Sequence, residues 1–144
     1  MKFPYELIED PKLLAKFGEW DEGLYCDFLK CQSGEMSEEE FREKYAINVA
    51  ILILNMTGFT KTALRHGSLY SFLRVFDIQK VCAPVFMKYG AKKVRTFADD
   101  FTATFYDPES ALDAALEIHR RVRIFNQSEQ SSDVCIECTI GLGY

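Results

Sequence analysis

Along the first 45 residues, apolar positions recur at helical intervals. Leu13, Leu14, Phe17 and Trp20 form one stripe behind Pro11, a residue the first helical turn accepts because its missing N–H has no intrahelical partner to lose. Leu24, Tyr25, Phe28 and Leu29 repeat the stripe, and Gly34 breaks it. Ser37 and Glu40 make an S-x-x-E capping box for a short third helix ending near Lys44. From Asn48 the texture changes. Val49–Leu54 is an unbroken apolar run rich in branched side chains, the pattern of a strand buried on both faces. Met56–Thr60 reads as a turn around Gly58. Leu69, Phe72, Leu73, Phe76, Val81, Val85 and Phe86 predict a long helix from about Ser68 to Lys88, kinked or restarted near Pro84 and stopped by Gly90. Lys92–Phe97 and Asp100–Phe105 are strands around a tight turn at Ala98-Asp99. Asp107-Pro108-Glu109 opens a helix that runs to about Asn126, followed by a polar loop over Gln127–Asp133 and a last strand over Val134–Leu142.

The order β-α-β-β-α-β predicts an α+β, ferredoxin-like antiparallel sheet with its helices on one face, spanning residues 46–144 and preceded by a helical extension over residues 1–45. In that topology the first and third strands are central neighbours, so Asn55 is expected beside Asp99. One face of Val49–Leu54 is covered by the domain's own helices. The other needs a second layer, from a second chain or from residues 1–45, because an apolar face of that size is not left in water.

Composition narrows the partners. With 144 residues, 48% apolar, the chain has room for one core and an appendage. A net charge of −5 without a long Lys/Arg run sets it against a nucleic-acid polymer. Val49–Leu54 is far short of the roughly 20 apolar residues of a membrane-spanning helix, and the N-terminus lacks a signal-peptide core. A cytoplasmic or membrane-peripheral location is expected. The five cysteines, Cys26, Cys31, Cys82, Cys135 and Cys138, are an odd number among apolar neighbours, as in a reducing compartment. Cys135 and Cys138 form a C-x-x-C, but strand alternation points their sulfurs to opposite faces. His66 and His119 have no partner at ligand spacing and read as surface or core filler.

Three stretches in order carry more specific information. Ile53-Leu54-Asn55-Met56-Thr57-Gly58-Phe59-Thr60 resembles the class III nucleotidyl cyclase signature in which a strand ends in Asp and leads to Gly-Phe-Thr. Val94-Arg95-Thr96-Phe97-Ala98-Asp99-Asp100-Phe101 is similar to the family's hairpin, usually Val-Lys-Thr-Ile-Gly-Asp followed by an apolar strand. Thr139-Ile140-Gly141-Leu142-Gly143 parallels its Arg-Ile-Gly-Ile-His-Thr-Gly strand. The resemblance covers residues 46–144 and omits the family's closing segment.

What this resemblance implies is a site for a nucleoside triphosphate with Mg²⁺ or Mn²⁺, shared across a homodimer. In the family two aspartates hold two divalent cations, which suits hard cations and an in-line displacement that needs both oxygens clamped. Carried over by position, the metal ligands are Asn55, the Met56 carbonyl and Asp99; the amides of Gly58, Phe59 and Thr60 cradle the phosphates. Arg95 stands at the base-selecting position, where the family commonly has Lys for adenine or Glu for guanine, and it can only donate. The first aspartate is Asn55 here, one negative charge short, and the hairpin glycine is Ala98. The expectation is therefore a cyclase-homology domain impaired in catalysis, acting as a dimerising or nucleotide-sensing module. Two alternatives stand beside it. One is an active cyclase, with ATP the expected substrate, completed by the missing segment or a partner chain. The other is a plain ferredoxin-like interaction domain.

Overall fold

A computed structural model describes residues 3–128 and 135–144. They fall into two compact units, Met1–Ile47 and Asn48–Tyr144.

The first unit contains α1 (Pro11–Phe17), α2 (Glu22–Ser33) and α3 (Glu38–Tyr45). The predicted capping box is formed in full: Ser37 Oγ accepts from Glu40 N–H at 3.1 Å, and Glu40 Oε2 accepts from Ser37 N–H at 2.7 Å. Helices this short need tertiary support. Aromatic contacts of Phe28 with Trp20 and Phe41 supply part of it. The rest converges on Asp27, a buried carboxylate of α2 that accepts from Lys44 Nζ at 2.6 Å, Tyr45 Oη at 2.6 Å and Lys30 Nζ at 3.3 Å. Those partners, Lys44 first, hold its pKa down to about 2.

The second unit runs β1 (Ala50–Met56), α4 (Phe59–His66), α5 (Ser68–Lys88), β2 (Lys93–Phe97), β3 (Asp100–Phe105), α6 (Pro108–Asn126) and β4 (Cys138–Gly143). The sheet is antiparallel with order β2-β3-β1-β4, so β1 and β3 are the central pair expected of a ferredoxin-like unit. Its inner face carries Leu52, Leu54, Phe101, Ala103 and Phe105, which pack with Ile78 and Val85 of α5 and Ala114 and Ile118 of α6 into one core. Each large side chain there contributes roughly 1.5–3 kcal/mol of burial. Asn126 fixes the approach to β4 with two bonds, donating to Ile136 C=O at 2.8 Å and accepting from Ile136 N–H at 2.9 Å.

Several boundaries differ from the sequence expectation, each for a local reason. β1 extends to Met56, so Asn55 lies inside the strand, because β3 and β4 offer pairing partners on both sides as far as Asp100 and Cys138. Its burial alternates strictly, with Ile51 38% and Ile53 50% exposed, so within the second unit the run is a strand with one buried face. The expected turn to Thr60 instead ends at Gly58, where φ of +77° caps the unforeseen α4. Pro84 sits within a single helix running from Ser68 to Lys88. The last strand begins at Cys138; Val134, placed in it by the sequence pattern, and most of the polar loop before it lie outside the described residues.

Candidate functional site

The outer face of the sheet is where the sequence-selected residues meet. Register aligns it in three rows: Lys93, Thr104, Ile51 and Gly143; Arg95, Thr102, Ile53 and Gly141; Phe97, Asp100, Asn55 and Thr139. No atom lies within 4 Å of where a Cβ on Gly141 or Gly143 would stand, so at these two positions the β4 side of this face is bare backbone. Phe97 stands largely exposed at the opposite edge.

The third row carries the polar chemistry. Asn55 Nδ2 donates to Asp100 Oδ1 directly across the strand pair. A carboxylate only accepts, so the amide must present its N–H there and turn its carbonyl oxygen elsewhere. The hairpin lies alongside, with Met56 N–H donating to Asp99 C=O at 3.3 Å. Asp99 occupies the turn after Ala98, whose φ of +51° is the left-handed conformation that favours glycine. The expected neighbourhood of Asn55 and Asp99 is thus present, and Asp100 joins it.

The remaining candidates spread outward. The Met56 side chain is in the core. Gly58 precedes α4 without a side-chain cap, leaving the first amides of that helix, those of Phe59 and Thr60 among them, without intrahelical acceptors. Phe59 packs edge-on against Phe72, ring centroids 5.8 Å apart, and Thr60 is exposed in the first turn. Arg95 is one row away and two strands over from Asn55, on the order of 12 Å between backbones.

A cavity of about 470 Å³ opens beside Met56, Thr57 and Gly58, and Lys61, Thr62 and Arg74 line it. Arg74 is held in an ion pair with Asp77, which also accepts from Lys80 at 2.7 Å. Sequence reasoning did not single out Lys61 or Arg74. Lys61 follows Gly58 by three residues, a spacing that would have flagged it once the strand was known to end in a helix; Arg74 has no such sequence signal.

The donor set bears on the metals implied by the resemblance. Two hard cations need several carboxylate oxygens in one place. Asn55 directs an N–H toward the nearest carboxylate, and among the described residues no group of three or more His, Cys, Asp or Glu could hold a metal ion. The residues present offer the adjacent carboxylates of Asp99 and Asp100 and do not fit a two-cation centre built on Asn55.

No family model matches the sequence, and no curated protein matches it. Solved structures do match. A bacterial light-regulated adenylyl cyclase is similar over 67% of this chain and 30% of its own, at a TM-score of 0.60 and 15% identity. The dimeric guanylyl cyclase domain of the RhoGC fusion protein from the aquatic fungus Blastocladiella emersonii is similar over 65% of this chain and 55% of its own, at a TM-score of 0.55 and 20% identity. The GGDEF domain of YfiN from Pseudomonas aeruginosa covers 71% of this chain and 65% of its own, at 0.51 and 18%. This chain thus spans about a third to two thirds of the structures it matches. Through the antiparallel order β2-β3-β1-β4 with its helices on one face, the chain shares the fold of adenylyl and guanylyl cyclase domains.

Proposed function

We propose that residues 46–144 are a cyclase-homology domain that binds a nucleoside triphosphate, associates as a homodimer through the outer sheet face, and turns substrate over poorly or not at all in this form. The observation that carries it is the Asn55–Asp100 pair: at the position where the cyclase signature has a metal-binding aspartate, this chain has an amide that donates to the neighbouring carboxylate. On this reading the triphosphate lies along the amides of Gly58, Phe59 and Thr60, with Asp99 and the Met56 carbonyl as ligands for its Mg²⁺ or Mn²⁺. Arg95 meets acceptor atoms of the base, and a second chain covers Ile51 and Ile53.

Chain chemistry supports the binding half of this reading. Helix-first amides after a positive-φ glycine form an anion cradle, and Lys61 adds a cation beside it. Turnover is weakened because a neutral amide leaves the cation site one charge short, and metal-type charge stabilisation is worth several kcal/mol in a phosphoryl-transfer transition state.

Calorimetric titration with ATP, GTP, CTP and UTP in Mg²⁺ and Mn²⁺, paired with measurement of cyclic product, tests it. Cation-dependent triphosphate binding that is lost in Asp99→Ala, with little or no product, is the expected result. Robust turnover lost in Asp99→Ala would establish the alternative, an active cyclase. Absence of triphosphate binding would leave an interaction domain.

A further inference from the structure

Over its first turns α5 inverts the usual distribution of a surface helix. Ser71, Arg74 and Asp77 are 0%, 8% and 5% exposed, while Leu69, Phe72, Leu73 and Phe76 are 73%, 54%, 48% and 53% exposed. A helix with one face in water ordinarily buries the second set and exposes the first. The inward polar groups are held at some cost: Ser71 Oγ has no hydrogen-bond partner among the described residues, and Arg74 needs Asp77 beside it. Four large apolar side chains at spacings of three, one and three make a continuous stripe two turns long.

We propose that this stripe pairs with the same stripe of a second copy, antiparallel, about a two-fold axis between Phe72 and Leu73. The sequence of the stripe is self-complementary in that arrangement. Leu69 stands as far before the axis as Phe76 stands after it, so each of the four levels sets a leucine of one copy against a phenylalanine of the other. An isologous interface requires this matching, and a shorter side chain opposite a longer one at every level lets two helices approach evenly. No charged residue interrupts the stripe. Lys80, which follows it, is bonded to Asp77 Oδ1 at 2.7 Å and lies over the Phe76 ring, so its charge is partly offset. This pairing uses a helix and leaves the outer sheet face free, so it does not depend on the proposed nucleotide function.

The patch sets the strength. Aromatic and large aliphatic side chains present about 150–250 Å² each, so four of them roughly half exposed bury on the order of 400 Å² per copy. The sum for two copies falls just under the ~1,000 Å² of a stable interface, so a weak, reversible dimer is expected.

Sedimentation equilibrium of the full chain between about 10 and 500 µM tests this. The expected result is a reversible monomer–dimer equilibrium that Phe72→Glu and Leu73→Lys each weaken by about tenfold or more, one interface-centre contact being worth at least that. An equimolar mixture of Phe72→Glu and Leu73→Lys chains restores association. The new carboxylate and the new ammonium then face each other on one side of the axis, and the native Leu–Phe pair remains on the other. Phe76→Ser, a neutral truncation, weakens association as well, and association through the stripe persists in Ile53→Glu, which removes only contacts made through the outer sheet face. Circular dichroism confirms that each variant is folded. The proposal is overturned if the chain stays monomeric throughout, or if Phe72→Glu associates like the parent. It is overturned equally if the mixture does no better than its components, if the Ile53→Glu chain is monomeric up to about 500 µM, or if the stripe binds anionic vesicles while the chain remains a monomer.

Discussion

Replacing Asn55 with aspartate probes the third row of the sheet face most directly. The parent has an amide N–H donated to the Asp100 carboxylate; Asn55→Asp removes the donor and sets two carboxylates directly across the strand pair, with Asp99 in the adjoining turn. A hydrogen bond to a charged group contributes about 1.5–3 kcal/mol. Two like charges about 4 Å apart repel by about 1 kcal/mol in water and about 4 kcal/mol at an effective dielectric of 20. Asn55 is exposed and Asp100 half-buried, so the lower part of each range applies and the sum is about 2–4 kcal/mol without a cation. For a unit of this size that is a fall in melting temperature of roughly 8 °C or more. A divalent cation should reverse the effect, since the variant gathers three carboxylates where the parent has two and a competing N–H. The assay is thermal unfolding of parent and variant, with and without millimolar Mn²⁺. The expected pattern is a variant that melts lower in chelator and recovers in Mn²⁺, while the parent moves little. A variant that melts with the parent in chelator would show that the Asn55–Asp100 bond contributes nothing to stability. A parent stabilised by Mn²⁺ as strongly as the variant would show that the amide is an adequate cation ligand.

Three further outcomes follow from packing and titration. Leu54→Ala, on the inner face of β1, should cost about 2–5 kcal/mol by urea unfolding, whereas Ile53→Ala on the outer face of the same strand should cost about 1 kcal/mol or less. Asp27 has its folded pKa depressed to about 2, chiefly by Lys44 and then by Tyr45, so its contribution is fully present above the unfolded value near 3.9 and is lost as pH falls through 2. Helical circular dichroism should therefore decline over that window, and Asp27→Asn should weaken the parent's helical signal at neutral pH and flatten its decline. Burial pushes the Cys82 thiol up to about 12 and the Cys138 thiol up to about 11, while Cys135 is exposed. Iodoacetamide at pH 8 should modify Cys135 first and Cys82 only after unfolding, as peptide mass analysis would show.

The order and type of most elements were legible because periodicity reports burial. On β3 the alternation of Phe101, Ala103 and Phe105 with Asp100, Thr102 and Thr104 matches its buried and outer faces, and the Ser37–Glu40 box set the start of α3 from four residues. Pattern alone did not place Ile51 and Ile53. An isoleucine has the same hydropathy on a covered face as on an uncovered one, so an unbroken run does not say which side a single chain covers. α4 was missed because Phe59–His66 is short and cationic, with propensity outweighed by the Gly58 turn signal before it. Within the site, Asn55 and Asp99 could be paired from topology alone. The role of Asp100 required register, since a shift of one residue would turn it to the other face.

The relief of the sheet face bears on anything laid upon it. Along β2 rise Lys93, Arg95 and Phe97, each several ångströms tall, whereas β4 presents Gly141 and Gly143 with no side chain at all. Threonines on β3 and isoleucines on β1 stand between, so the face is highest along β2 and lowest at the β4 glycines. A flat layer resting on it meets the backbone at one edge only and stands off at the other, trapping water between. On the proposed pairing, a second copy of the face turned end for end sets its high edge over the low one. The two glycines then set how closely the second copy approaches at the β4 edge, and a side chain added at Gly141 would raise that edge without touching the core.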